Sequence, residues 1–125
     1  MVKGSGSAAF GIVMACLLLL HSELSEATTY TVGNSDSNGW TYNVANWPKG
    51  KSFKAGDVLV FNYDPALHNV VVVNKRGYKN CTTPKNAKVY QTGNDQITLA
   101  QGNSYFICNF PGHCEAGMKI AVTAG

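Results

Sequence analysis

The sequence predicts an all-β domain built as a sandwich of sheets. Its segments rich in Val, Tyr, Phe and Ile are short, and turn signals such as Asp64-Pro65 and Pro111-Gly112 separate them. No long stretch repeats its apolar residues with the period of about 3.6 that marks a helix. Short strands at regular spacing favour a β-sandwich.

The first 27 residues are predicted to be a secretory signal peptide. Lys3 precedes an apolar run over residues 8–20, and the small residues Ser25 and Ala27 occupy the positions that a signal peptidase reads. The run has 13 residues, whereas a membrane-spanning helix needs about 20. We therefore expect a signal peptide over 1–27, a single domain over 28–125 and a secreted, extracellular product.

The charge of the chain excludes one class of partner. Cleavage after Ala27 removes Lys3, Glu23 and Glu26, which changes the formal net charge from +3 to +4. This charge is mild and not concentrated, so we expect no binding to nucleic acid. No hydrophobic tail follows residues 121–125, and we expect no membrane or lipid anchor.

Eight segments of the mature chain are predicted strands, because β-branched and aromatic residues dominate them. They are residues 30–32, 40–42, 58–63, 69–74, 88–91, 96–99, 105–108 and 118–122. In the last of these, Met118, Ile120 and Val122 share one face, as a half-buried antiparallel strand requires. The stretches 43–50 and 78–87 fit strands poorly, and either is open to a helical turn.

The mature chain holds a small set of soft ligands. They are Cys81, Cys108, Cys114, His68, His113 and Met118. Three cysteines cannot all pair, so an oxidising compartment leaves one disulfide and one free thiol. Four of the six residues lie within the eleven positions from Cys108 to Met118. This clustering is the most informative feature of the sequence.

The chemistry of the cluster predicts a copper site. A thiolate and a thioether suit Cu(I), while imidazole binds both oxidation states, so two His, one Cys and one weak Met can support one-electron transfer. Cys108 ends one predicted strand and Met118 opens the next, and the turn at Phe110-Pro111-Gly112 returns His113 toward them. His68 opens an apolar strand and would supply the remaining ligand. The predicted metal ligands are His68, Cys108, His113 and Met118.

Other interpretations of these residues remain. Taken singly, a buried Met is usually core and a solitary His is usually a hydrogen-bonded side chain. A structural zinc site with Cys108, Cys114, His68 and His113 is the chemical alternative. Zinc would leave Cys81 without a partner and Met118 unexplained, which favours copper.

At these motifs the sequence resembles a known family. The segment from Tyr105 to Lys119, together with residues 68–72 and 46–50, is similar to the phytocyanins, the plant blue copper proteins, and among them to the plantacyanin group. The resemblance covers essentially the whole mature chain. It implies a cupredoxin-like Greek-key β-sandwich with short helical segments in the connections. It also implies an extracellular or cell-wall location.

The resemblance implies the details of the site as well. One copper ion per chain would be held by His68, Cys108, His113 and Met118, and Asn69 would lie near the Cys108 sulfur. Met118 distinguishes the chain from stellacyanins, in which Gln takes this place.

The resemblance further implies a disulfide between Cys81 and Cys114. The alternation of an extended chain agrees, since Cys114 faces away from the metal if His113 faces it. The sequon Asn80-Cys81-Thr82 overlaps this bond, and we expect little glycosylation there.

We expect an electron carrier and not an enzyme. Four protein ligands leave no open position for a substrate, whereas a catalytic metal site keeps one. The sequence also has no Gly-x-Ser-x-Gly motif and no phosphate-cradling loop. The expected protein is a monomer that meets a small or protein redox partner at an apolar rim around His113. That rim comprises Phe110, Pro111, Gly112, Ala116, Gly117, Pro65 and Leu67.

A second hypothesis belongs to another class of function. The chain could be a cell-wall or signalling protein that acts by binding, with copper redox chemistry secondary. Its charge would favour an acidic redox partner or acidic wall polysaccharide. Two basic groups could contact such a partner, namely Lys49, Lys51 and Lys54, or Lys75, Arg76 and Lys79.

Overall fold

The computed structural model describes residues 26–33 and 39–125, which form seven strands and one helix. The elements are β1 (Thr29–Thr31), β2 (Val58–Asn62), β3 (Val70–Val73), α1 (Lys75–Asn80), β4 (Val89–Tyr90), β5 (Asn94–Thr98), β6 (Gly102–Ile107) and β7 (Lys119–Ala124). The predicted signal peptide, except for Glu26 and Ala27, lies outside the described residues. Within the described ranges, no helix has the length and apolar character needed to cross a membrane.

The strands form two sheets. One sheet has the order β1-β2-β5 and the other the order β4-β3-β6-β7. The pair β1 and β2 is parallel, and the other paired strands are antiparallel. A parallel bridge between Phe53 and Ala124 adds a further backbone pairing at the end of β7. The predicted all-β sandwich is confirmed.

Buried aromatic and aliphatic side chains fill the core. Phe61 on β2 packs edge-on against Trp40, with ring centroids 5.0 Å apart, and also contacts Phe106 on β6 at 5.3 Å. On β7, Ile120 and Val122 are buried, while their neighbours in the strand are more exposed. The predicted alternation of this strand is therefore confirmed, and burial of its apolar face stabilises the fold.

The predicted strand at residues 40–42 is wrong. Residues 40–42 contain no strand, and Gly39 and Asn43, which flank them, have positive φ values of 83° and 58°. The N–H of Trp40 still bonds the carbonyl of Asn62 at 2.9 Å, but the N–H groups of Asn43 and Val44 bond the loop that precedes β7. Residues 39–44 form an arch, which we call the 39–44 arch.

The helix α1 begins three residues before the stretch 78–87 that the sequence left open to a helical turn. The side chain of Asn74 caps it by accepting a hydrogen bond from the N–H of Gly77 at 2.8 Å. The helix ends at Asn80, and the residue that caps it, Cys81, has a left-handed conformation with φ of 54°. The other stretch, 43–50, consists of turns from residue 45 onward.

The buried carboxylate of Asp57 ties the start of β1 to the turn before β2. Its Oδ1 accepts the N–H of Thr28 at 2.8 Å, and its Oδ2 accepts the N–H of Lys54 at 2.9 Å. The ammonium of Lys54 lies 3.2 Å from Oδ1. The hydrogen bond from Thr28 and the interactions with Lys54 lower the pKa of Asp57, although burial opposes the shift.

Candidate metal centre

The connection between β6 and β7 folds back on itself at one end of the sandwich. The N–H of Cys108 donates to the carbonyl of Met118 at 3.0 Å, and the N–H of Met118 donates to the carbonyl of His113 at 3.1 Å. A turn closed by the N–H of His113 and the carbonyl of Phe110, 3.0 Å apart, redirects the chain. These bonds hold Cys108, His113 and Met118 close together.

Three metal-binding atoms converge at this point. Nδ1 of His113 lies 3.1 Å from Nδ1 of His68 and 3.4 Å from Sγ of Cys108. Ligand atoms of the three residues all lie within 4.8 Å of one another. The structure thus brings together three of the four residues that the sequence singled out. The fourth, Met118, is fully buried and is joined to Cys108 and His113 through its backbone.

His68 reaches the cluster from the turn that precedes β3. Its N–H and that of Leu67 both donate to the carbonyl of Asp64 at 3.0 Å, and the carboxylate of Asp64 accepts the N–H of Ala66. The side chain of His68 is buried. Burial lowers the pKa of His68, and the nearby charge of His113 adds to this effect, while Asp64 opposes it. A neutral imidazole is the form that binds metal.

Cys108 is a free cysteine and is completely buried. Burial raises the pKa of its thiol, and hydrogen bonds from the backbone N–H groups of Asn69 and Phe110 act in the opposite direction because they favour the thiolate. Two backbone N–H groups therefore donate hydrogen bonds to the buried sulfur of Cys108.

The side chain of Asn69 joins the two halves of the cluster. It exchanges two hydrogen bonds with Asn109, the residue after Cys108. The carbonyl of Asn69 accepts the indole N–H of Trp40 at 2.8 Å. Asn69 thus connects the start of β3, the loop that follows Cys108 and the 39–44 arch.

The predicted disulfide is present. Cys81, at the end of α1, is bonded to Cys114, and their Cα atoms are 5.7 Å apart. Cys114 is buried beside Val71 and Ile107, on the side away from the main core. Because Cys114 is oxidised, it cannot serve as a thiolate ligand, and the zinc alternative loses one of its four donors.

One residue at this site was not predicted from any sequence motif. Tyr42, which we predicted to lie in a strand, places its hydroxyl oxygen 3.2 Å from Nε2 of His113. The two residues are 71 positions apart, and no motif connects them. Only the path of the 39–44 arch brings them together.

Several apolar residues of the predicted rim are exposed, and the ring of one of them lies beside His113. Leu67 is 55% exposed, Pro111 and Ala116 are also exposed, and the ring of Phe110 lies 5.6 Å from that of His113. His113 itself is only partly buried. Phe110 of the predicted rim thus borders a ligand-type side chain that is not fully enclosed.

The donor set at this centre fits copper. Two imidazole nitrogens and one buried sulfur combine soft and borderline donors, which is the set that accommodates both Cu(I) and Cu(II). This cluster of three residues contains no carboxylate.

Comparisons with known proteins find a matching family and several similar proteins. The model of the plastocyanin-like domain family matches residues 36–118. A basic blue protein from Arabidopsis thaliana is 55% identical over 130 aligned positions, which cover 99% of each chain. A chemocyanin from Lilium longiflorum is 51% identical and covers 99% of each chain. The solved structure of cucumber basic protein, a blue copper protein, is 62% identical, with a TM-score of 0.76, and covers 78% of this chain and 100% of its own.

Proposed function

This chain belongs to the plastocyanin-like domain family, among the phytocyanins, and we propose that it transfers single electrons by cycling its copper between Cu(II) and Cu(I). The fold is cupredoxin-like, and the cofactor of this blue copper protein family is copper. One observation carries the proposal, namely the convergence of Nδ1 of His68, Sγ of Cys108 and Nδ1 of His113 on a single point.

We assign the ligand roles as follows. His68, Cys108 and His113 are the strong donors, and Met118 is the weak fourth donor. Bound copper supplies a one-electron redox couple. The protein holds the donors in place through the reciprocal bonds of Asn69 and Asn109, and the burial of Cys108 excludes water from the sulfur. With four protein ligands and no open position, the site is built for electron transfer and not for catalysis on a substrate.

The proposed partner is an acidic redox protein. Lys75, Arg76 and Lys79 are exposed on α1, whereas Lys51 bonds the Trp47 carbonyl and Lys54 pairs with Asp57. This difference favours the basic face of α1 over the group at residues 49–54. The Cys81–Cys114 disulfide connects α1 directly to the residue after His113. Acidic wall polysaccharide would be attracted by the same charges.

We also propose that residues 1–27 are removed and that the product is secreted. The disulfide supports this, since such bonds persist in oxidising compartments outside the cytosol. N-terminal sequencing of the protein expressed in a plant host tests the proposed cleavage after Ala27.

The function is tested by adding Cu(II) to the metal-free, disulfide-bonded protein. We expect an intense visible band from the thiolate–copper bond, one equivalent of bound copper and reversible bleaching by ascorbate. Electron exchange with an acidic redox protein should slow as salt is added, because screening weakens the attraction. A protein that binds polysaccharide but yields no visible band would instead support the binding hypothesis.

A further inference from the structure

Tyr42 lies over the imidazoles of both His68 and His113. Its ring centroid is 5.4 Å from that of His68 and 5.0 Å from that of His113, and it meets both rings edge-on. Its hydroxyl oxygen is 3.2 Å from Nε2 of His113. The side chain is 45% exposed, so its contribution to the core is small. Its contacts are instead with the two histidines of the metal centre.

Hydrogen bonds of the residues on both sides of Tyr42 hold it in this position. On one side, Trp40 is fully buried and bonds Asn62 and Asn69. On the other side, the N–H groups of Asn43 and Val44 bond the carbonyls of Ala116 and Gly117 at 3.1 and 3.0 Å. The 39–44 arch is therefore fastened to the same loop that carries His113.

The arrangement leaves Nε2 of His113 as the nitrogen that carries the proton when Nδ1 binds a metal. Nδ1 faces Sγ of Cys108 and Nδ1 of His68, whereas Nε2 faces Tyr42. A neutral imidazole has one N–H, and a nitrogen that binds metal cannot carry it. With Nδ1 as the ligand atom, Nε2 holds the proton and donates it to the hydroxyl oxygen of Tyr42.

We propose that Tyr42 is a positioning residue for His113, fixing the orientation and tautomer of its ring by accepting the Nε2–H hydrogen bond. The proposal rests on the proposed function, because it takes His113 as a ligand. A histidine that binds metal commonly donates its second N–H to a protein group, which orients the ring and makes the ligating nitrogen a stronger donor. Here that group is an exposed tyrosine hydroxyl at the edge where a partner approaches.

Two variants isolate the hydroxyl. Tyr42→Phe removes only the oxygen, and Tyr42→Leu also removes the ring. The matched control is Tyr30→Phe, because the Tyr30 hydroxyl donates to the carbonyl of Ser52, outside the metal centre. None of these side chains is fully buried, so each variant should fold.

The first measurement uses the zinc-loaded protein, which is diamagnetic and redox-inert. NMR gives the rate at which the Nε2 proton of His113 exchanges with water. A hydrogen bond of ordinary strength should slow this exchange, so we expect it to be about tenfold faster in Tyr42→Phe and unchanged in Tyr30→Phe. Equal rates in Tyr42→Phe and the parent protein would overturn the proposal. An effect seen in Tyr42→Leu but not in Tyr42→Phe would assign the protection to the ring and would also overturn it.

The second measurement uses the copper-loaded proteins. Loss of the hydrogen bond makes Nδ1 a weaker donor, which favours Cu(I), so the reduction potential of Tyr42→Phe should rise above that of the parent and of Tyr30→Phe. An unchanged or lower potential contradicts the proposal. The parent protein distinguishes failure of the proposed function from failure of the role of Tyr42. If it forms no blue copper site, the proposed function fails; if it does and Tyr42→Phe behaves identically, only the role of Tyr42 fails.

Discussion

Asn69 and Asn109 hold each other through two reciprocal hydrogen bonds. Nδ2 of Asn69 donates to Oδ1 of Asn109 at 2.7 Å, and the N–H of Asn109 donates to Oδ1 of Asn69 at 3.0 Å. Asn69 follows His68 and Asn109 follows Cys108. The pair therefore fixes the separation between two proposed ligands that are 40 residues apart in the chain.

Replacing Asn69 with Ala should loosen this link. Because Asn69 is buried and the N–H of Asn109 loses its acceptor, we expect a loss of about 1 to 3 kcal/mol in the free energy of unfolding. The visible band of the copper protein should also shift. The control is Asn103→Ala, which removes an exposed bond to Thr123 and should leave the band unchanged. Urea denaturation measures the loss of stability, and absorption spectra measure the shift of the band. Identical spectra in the parent, Asn69→Ala and Asn103→Ala would contradict a role of Asn69 in holding the metal ligands.

Cys108→Ser should abolish the visible band. The band arises from the thiolate–copper bond, and a hydroxyl does not replace the sulfur. Absorption spectroscopy with added Cu(II) measures the effect. The control variant, Cys81→Ser combined with Cys114→Ser, should keep the band because neither sulfur is a ligand. A blue Cys108→Ser protein would show that another residue binds the metal.

The same double variant tests the contribution of the disulfide to stability. The bond closes a loop with a sequence separation of 33 residues, and the chain-entropy model gives about 3 to 4 kcal/mol for a loop of this size. Urea denaturation of the oxidised parent and the double variant under the same conditions measures the difference. A loss well below 1 kcal/mol would mean that the unfolded chain is already compact without the bond.

The residue at position 118 should set the reduction potential. A thioether favours Cu(I), whereas the harder amide oxygen favours Cu(II), so Met118→Gln should lower the potential. Met118→Leu removes the weak donor and should raise it. Cyclic voltammetry at one pH should therefore give the order Leu above Met above Gln. Any other order would assign Met118 to the core alone.

Asp57 should make the fold sensitive to acid. Its pKa is lowered from 3.8 in the folded protein, so its stabilising effect is complete above the unfolded pKa and is lost as the pH falls through the folded pKa. Asp57→Asn should be less stable at about pH 7 and should lose less stability on acidification to about pH 2. Urea midpoints across this pH range measure how steeply the stability of the parent and of Asp57→Asn depends on pH. Parallel slopes would assign the acid sensitivity to other carboxylates.

Much of the candidate metal centre could be anticipated because three of its four residues are close in sequence. Cys108, His113 and Met118 lie on one connection between two strands, and the shortage of other soft ligands pointed to His68. The disulfide could be predicted because the family resemblance implies it, and because Cys114 faces away from the metal if His113 faces it; the structure has the bond between Cys81 and Cys114 and leaves Cys108 free.

The 39–44 arch could not be anticipated. Trp40 and Tyr42 are aromatic residues that favour strands, but positive φ values at Gly39 and Asn43 turn the chain. Hydrogen bonds to the distant residues Ala116 and Gly117 then determine its path. Local propensity carries no information about such contacts, and for this reason the position of Tyr42 was missed.

The hydrogen bond from Thr28 to Asp57 has a consequence for how the protein is prepared. If the chain is cut after Ala27, the nitrogen 2.8 Å from the buried carboxylate is no longer a peptide N–H but a new α-ammonium group. Processing then converts a neutral donor into a charged one, and charge-assisted hydrogen bonds are the stronger kind. In that case Thr28 would be the first residue and its α-ammonium group would bond the buried carboxylate of Asp57. A recombinant protein with a purification tag or a leftover methionine before Thr28 would lack that charge and should then be less stable than a protein that begins at Thr28.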